Sequence, residues 1–305
     1  MKKLLFIISG LLFAIMVHAQ QLPLSENYFV DKYSLSSAYA GNSDNKSLFA
    51  SYRRDWAGIG EGPQTIRLSY HDGFKNRAGL GAKLIMDKFG IFQSFYGLAT
   101  YSYRVQAATN SFLYFGLSAG LHQNTINFSE YYNDPNFTVD PSMIDRDVKS
   151  GLKLVSDFSM IYVYKRLQSG FLFSNISYSE YTYQSVKTTY NPFLQYQFHA
   201  TYTLPVDVSW KFIPLVIFRH GKNTKNQLEV ASQLKYKDKL WADIGHRGKS
   251  VYRAGFGLNL GKGILFNYNF NFFSKTSLNA FQNHELTLGL RLSEFFPKKE
   301  KLVAD

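Results

Sequence analysis

The chain has 305 residues, no cysteine, and a formal charge of +12 from 34 Lys and Arg against 22 Asp and Glu. Without cysteine there are no disulfides, no thiol nucleophile, no Cys-ligated zinc or iron–sulfur cluster and no lipidated N-terminal Cys. Phe (27) and Tyr (22) supply nearly all the aromatic content, which suits strands and membrane-interface belts better than helix bundles, and the apolar share argues against disorder.

Lys2 and Lys3, the apolar run from Leu4 to Val17 and the small-residue site Val17-His18-Ala19 predict a secretory signal peptide over residues 1–19. No later run reaches the roughly 18 apolar residues of a membrane helix, which leaves an exported soluble β protein or an outer-membrane barrel. Residues 20–45 are expected to form an N-terminal periplasmic segment, residues 46–296 the barrel and residues 297–305 a polar tail.

The barrel is predicted from alternation. Phe266-Asn267-Tyr268-Asn269-Phe270-Asn271-Phe272 interleaves aromatic and amide side chains, and Glu285 to Leu292 sets four Leu against Glu285, Thr287, Gly289 and Arg291. Tyr252 to Leu260 and Gln227 to Tyr236 follow the same period of two, the mark of a strand with one apolar and one polar face. Runs of about ten residues match a tilted bilayer crossing, whereas sandwich strands cluster near five or six. About fourteen strands follow, at 46–54, 64–71, 77–87, 92–105, 111–122, 153–165, 169–178, 193–203, 206–219, 226–236, 239–247, 250–260, 263–273 and 283–293. The fold class is all-β, a closed antiparallel transmembrane β-barrel of bacterial outer-membrane type. The long connections, 55–63, 123–152, 179–192 and 274–282, all fall at odd places in the order. The even connections are short, as expected of external loops and periplasmic turns respectively. Pro214 inside the ninth strand predicts a bulge or local break.

Chemistry-bearing motifs are sparse. The histidines form no zinc pattern and no Gly-x-Ser-x-Gly elbow occurs, so no catalytic residue, metal site or cofactor is expected and the protein is not read as an enzyme. Gly79/Gly81 and Gly255/Gly257 lie i, i+2 on strands, where they give room to bulky lumen groups or curve the sheet. The polar faces carry Arg67, Lys83, Asp243, Arg247, Arg253, Glu285 and Arg291, which read as a polar translocation path or as a structural network closing the barrel. The long fifth connection holds Glu130, Tyr131, Tyr132, Asp134, Phe137 and Asp140; with Trp56 these are the candidate partner-binding residues. Such a loop suits a pore cap, a partner contact or a calcium site, though EF-hand spacing is absent. The scattered basic residues form no stripe for nucleic acid, and contact with outer-membrane lipid and lipopolysaccharide fits them better.

Several segments resemble one family. Ala38-Tyr39-Ala40-Gly41 is similar to the Asn-Pro-Ala-Tyr-Ala-Gly signature of the PorP/SprF outer-membrane proteins of the type IX secretion system of Bacteroidetes, with Ser36-Ser37 in place of Asn-Pro. Tyr52-Arg53, Trp56, Gly58, Gly62-Pro63 and Thr65 resemble its Arg…Trp…Gly…Pro-x-Thr stretch, and Gly79-Leu80-Gly81 with Asp87-Lys88-Phe89-Gly90 its following hairpin. Leu234 to Trp241 with Arg247, and Asn283-His284-Glu285, are similar to later blocks. The resemblance runs from about residue 25 to 295. It implies a barrel that binds a secreted cargo, such as the C-terminal signal domain of a surface or gliding adhesin, and works with periplasmic type IX components. The competing expectation is a transporter or porin for a small solute.

Overall fold

The computed structural model describes residues 24–42, 46–58, 62–74, 77–128, 148–177, 181–183, 186–188, 194–221, 226–274 and 282–295. Fourteen antiparallel strands make the wall. They are β1 (Ser47–Arg54), β2 (Gln64–Phe74), β3 (Ala78–Phe89), β4 (Phe92–Ala108), β5 (Ser111–Ile126), β6 (Lys153–Tyr164), β7 (Leu167–Ser177), β8 (Gln195–Tyr202), β9 (Trp210–Gly221), β10 (Gln227–Tyr236), β11 (Leu240–Arg247), β12 (Val251–Gly261), β13 (Ile264–Phe273) and β14 (Gln282–Arg291). Each pairs with its sequence neighbours, and β1 pairs with β14 from Ser47↔Arg291 to Arg54↔His284, which closes the cylinder. Closure leaves no unpaired edge for the backbone groups that hydrocarbon cannot satisfy. The strands run from 8 to 17 residues, long enough for a tilted crossing.

The side chains are inverted relative to a water-soluble sandwich. On β14, Leu286 and Leu288 are 41% and 50% exposed, while Glu285 and Thr287, which alternate with them, are 2% and 1% exposed. On β13 Asn267, Asn269 and Asn271 are buried between half-exposed aromatics. The apolar rows therefore face lipid and the polar rows face the lumen, as the alternation predicted. Arginine in place of Leu288, near the middle of β14, should cost about 2–4 kcal/mol of barrel stability, the usual penalty for a midplane charge on a lipid face. Urea titration of the refolded barrel in lipid vesicles measures it, and an unchanged midpoint would contradict the outward placement of that row.

Several strand ends move by two to four residues, the largest shifts being the end of β5, at Ile126 instead of 122, and the start of β9. The alternation Val206-Asp207-Val208 was expected to open the ninth strand, but β9 begins at Trp210. The Asp207 carboxylate accepts the backbone N–H groups of Ser209 and Trp210, the latter at 2.8 Å, and this local capture holds the chain in a turn. Leu204–Pro205 forms a two-residue bridge to Lys211–Phe212. Pairing of β8 with β9 stops at Thr201↔Leu215 and resumes at Leu204↔Phe212 in the same register. The skipped places are Pro214 and Ile213, so the expected break is there, on one ladder only; their pairing to Ser232 and Gln233 of β10 continues without a shift.

The N-terminal segment departs from expectation most. Residues 24–42, expected in the periplasm, thread the lumen. They form a short 3-10 turn (Asn27–Phe29), the single-turn helix α1 (Lys32–Leu35) and a second 3-10 turn (Ser37–Tyr39). Ala38 is fully buried, and Tyr28, Leu35 and Tyr39 nearly so, packed with Tyr114, Ile161, Leu215, Ile217 and Ala231 of the wall, while the fully buried Tyr33 sits against His71 and Thr100. Fourteen strands enclose a lumen wider than their own side chains fill, between the packed eight-stranded case and the open porins. A plug of aromatic side chains occupies that space.

Candidate functional site

The plug runs from Leu24, at the end carrying the long connections, to Asn42, at the end carrying the tight turns. Its far end is held by charge. Glu26 is 2% exposed. Its Oε1 lies 2.7 Å from Arg247 Nη1 and 3.2 Å from Arg53 Nη1, and it accepts a hydrogen bond from Asn271 Nδ2 at 2.9 Å. Arg253 Nη1 lies 3.5 Å from Glu26 Oε2 and donates to the Glu26 carbonyl at 3.2 Å, while its Nη2 meets Asp243 Oδ1 at 2.6 Å. Glu285 works from the other side: it accepts from the Glu26 N–H at 2.7 Å, Asn27 Nδ2 at 2.7 Å and Ser25 Oγ at 3.0 Å. Asn267 and Asn269 both donate to Asn27 Oδ1 at 3.2 Å. Tyr28 donates to Glu229, which also pairs with Arg219 at 2.7 Å, and the Arg253 guanidinium lies 4.5 Å from the Tyr28 ring centre.

Four arginines (53, 219, 247 and 253) thus meet four carboxylates (Glu26, Glu229, Asp243 and Glu285). Burying charge is tolerated when it is paired, and the lumen asparagines add hydrogen bonds to Glu26 and Asn27. Arg253 Nε, Asn269 Oδ1 and Asn271 Oδ1 stay buried without a partner, so the pairing of charge rather than complete hydrogen bonding holds the cluster.

The near end is held by close backbone approach. Ser159 Oγ accepts from the Ala38 N–H at 2.7 Å and lies 2.6 Å from Ser37 Oγ, and Gln197 Nε2 donates to the Leu35 carbonyl at 2.9 Å. Ser102 Oγ donates to the Ala40 carbonyl. A Cβ on Gly79 would lie 2.3 Å from Ala40 O, and one on Gly116 would lie 2.4 Å from Ala38 N. Gly41 has φ +63°, the left-handed conformation that turns the chain from plug into wall. Ala38-Tyr39-Ala40-Gly41 is therefore the exit of the plug: two methyl-sized residues, one ring buried against His199, and a turn that favours glycine.

The predicted lumen charges divide. Asp243, Arg247, Arg253 and Glu285 meet in the Glu26 cluster. Arg67, buried on β2, lies close enough to feel Glu285 and Arg53 of that cluster, and Lys83 is buried on β3 beside the plug residue Tyr33. Arg291 is not a lumen-network residue: it lies at the tight-turn end, where its Nη1 is 3.4 Å from Glu294 on the short helix α2 (Leu292–Phe295). Trp56 has φ +54°, packs edge-on to Phe89 and donates its N–H to Asn283 Oδ1 at 3.1 Å, at the mouth of the barrel. Glu130, Tyr131, Tyr132, Asp134, Phe137 and Asp140 lie outside the described residues. Sequence reading missed Glu26, Asn27 and Tyr28 altogether, and with them the role of Arg53, Arg219 and Glu229. The available signal was Glu26 itself, an acid beside the aromatic run Tyr28-Phe29 in a stretch with no strand period.

A family model described as type IX secretion system membrane protein PorP/SprF matches residues 17–290. No curated protein sequence matches the chain. Among solved structures, the CymD monoaromatic hydrocarbon channel is similar with TM-score 0.50 and 9% identity, over 88% of this chain and 91% of that one. The toluene transporter TodX of P. putida has TM-score 0.49 and 8% identity over 90% of this chain and 95% of that one. Omp33 of Acinetobacter baumannii has TM-score 0.47 and 8% identity over 82% and 99%. At such identities the likeness is one of fold, the outer-membrane barrel.

Proposed function

The chain belongs to the PorP/SprF family of type IX secretion system membrane proteins, and from that membership we propose that it binds a secreted cargo and helps export it or anchor it at the cell surface. It is an outer-membrane barrel, and its family implies association with other secretion components. The cargo is adhesin-like, held through its C-terminal signal domain by the external rim and loops around Trp56 and residues 130–140, and the action is binding rather than catalysis. The observation that carries this reading is the plug. A lumen occupied by residues 24–42, with Glu26 ion-paired to Arg53, Arg247 and Arg253, supports a protein whose partner surface is its rim rather than one that conducts through its centre.

Deletion of the gene should remove one surface adhesin from the cell exterior, and pull-down of the barrel from outer membranes should recover that cargo by mass spectrometry. If every surface protein persists while uptake of one small solute fails, the transporter reading replaces this one.

A further inference from the structure

The plug fills the lumen unevenly. Its Glu26 end leans on β1 and on β10 to β14. Opposite, between the plug and the wall from β2 to β9, a cavity of about 110 Å³ remains, room for a few waters or one small polar group. Ser174, Gln195, Arg219 and Arg67 line it within three residues of the external ends of β7, β8, β9 and β2, so it lies in the outer half of the barrel.

Its charges are Arg67, Lys83 and Arg219 against Asp157. Arg219 is already paired with Glu229, and Asp157 accepts the Asn175 N–H at 2.9 Å. Lys83 is different. It is 8% exposed, its ammonium lies 4.0 Å from the Tyr33 ring centre, and among the described residues no acceptor lies within hydrogen-bond or salt-bridge distance of it, Asp157 and Asp31 acting on its charge only from further off. A ring face offsets part of a cation's desolvation but takes up none of its three N–H donors. The Gln195 Nε2 group on the same cavity is also buried without an acceptor. Two unspent donors, one of them charged, on a small cavity are the chemistry of an anion site.

We infer that this cavity binds a carboxylate reached from the external side, with the Lys83 ammonium and the Gln195 amide as its donors. Asp157 on the same cavity repels a second negative charge, which favours a carboxylate over a phosphate dianion. The carboxylate has two possible sources, the end of a peptide chain or a small carboxylic acid, and the inference does not depend on the identity of the secreted cargo.

The test is calorimetric titration of the full chain in lipid nanodiscs with tetra-alanine bearing a free C-terminus, the same peptide as its C-terminal amide, propionate and inorganic phosphate. A free-acid peptide or propionate should bind, with the amide at least about tenfold weaker, because a charge-assisted bond is lost. Binding of the peptide without propionate identifies a chain end; comparable binding of propionate identifies a small acid. Lys83→Gln should weaken binding about tenfold or more while the folded barrel still migrates as a heat-modifiable band. If that variant does not fold, Gln195→Leu supplies the same comparison. Equal binding of acid and amide, no binding of any carboxylate, phosphate binding tighter than both carboxylates, or unchanged affinity in the variants overturns the inference.

Discussion

Replacement of Glu26 by alanine should destabilise the barrel by about 3–5 kcal/mol, the cost of removing one partner from a buried ion cluster. Arg247, Arg53 and Arg253 converge on this one carboxylate at 2.7, 3.2 and 3.5 Å, and Glu26 is buried. Glu26→Gln keeps the shape and two hydrogen-bonding atoms, so it should cost less than alanine while still leaving uncompensated positive charge. The measurement is the urea midpoint of refolded protein in lipid vesicles, read beside heat-modifiable migration. A double substitution, Glu26→Leu with Arg247→Met, should cost less than the sum of its parts, because neighbours in one network do not add and removing Arg247 together with Glu26 leaves one fewer positive charge without its partner. A Glu26→Ala midpoint equal to that of the wild type would mean the cluster holds nothing in place.

Valine at position 116 should open the lumen. A Cβ there would sit 2.4 Å from Ala38 N and 2.5 Å from Ser37 C. Both are backbone atoms of the plug, which cannot swing aside as a side-chain tip can. Overpacking a fitted site usually costs about 1–3 kcal/mol; here the plug, which is anchored at this end by the Ser159 and Ser102 contacts, is the part free to leave. Planar-bilayer recordings should show stepwise conductance for Gly116→Val and none for the wild type. Gly97→Ala is the control, since its nearest neighbours are side-chain carbons at 3.4 and 3.5 Å, ordinary contact distances. Conductance from both variants, or from neither, would show that the plug's exit does not gate the lumen.

Most of the wall was legible because strand period is local. The Asn and aromatic interleave of β13 and the Leu row of β14 state their own faces, and the parity of loop lengths orients them. The start of β9 was not legible, because Val206 and Val208 satisfy the period while the Asp207 carboxylate, two residues on, takes the backbone donors. The candidate site was half legible. The arginines and acids of the polar faces were evident as lumen groups, but their shared partner was not. Glu26 meets Asn271 across 245 residues, and a short aromatic segment without periodicity carries no mark of which surface it will pack against. Hence residues 24–42 read as periplasmic, and the lumen charges as pairing with one another rather than through a separate stretch of chain.

The seam between β1 and β14 joins the first and last wall strands, and Arg53 lies directly across it from Glu285. Both side chains also grip residues 25–27, which are translated before either strand. The same two side chains therefore serve the seam and the stopper: zipping the last ladder brings together both walls of the socket that holds residues 25–27.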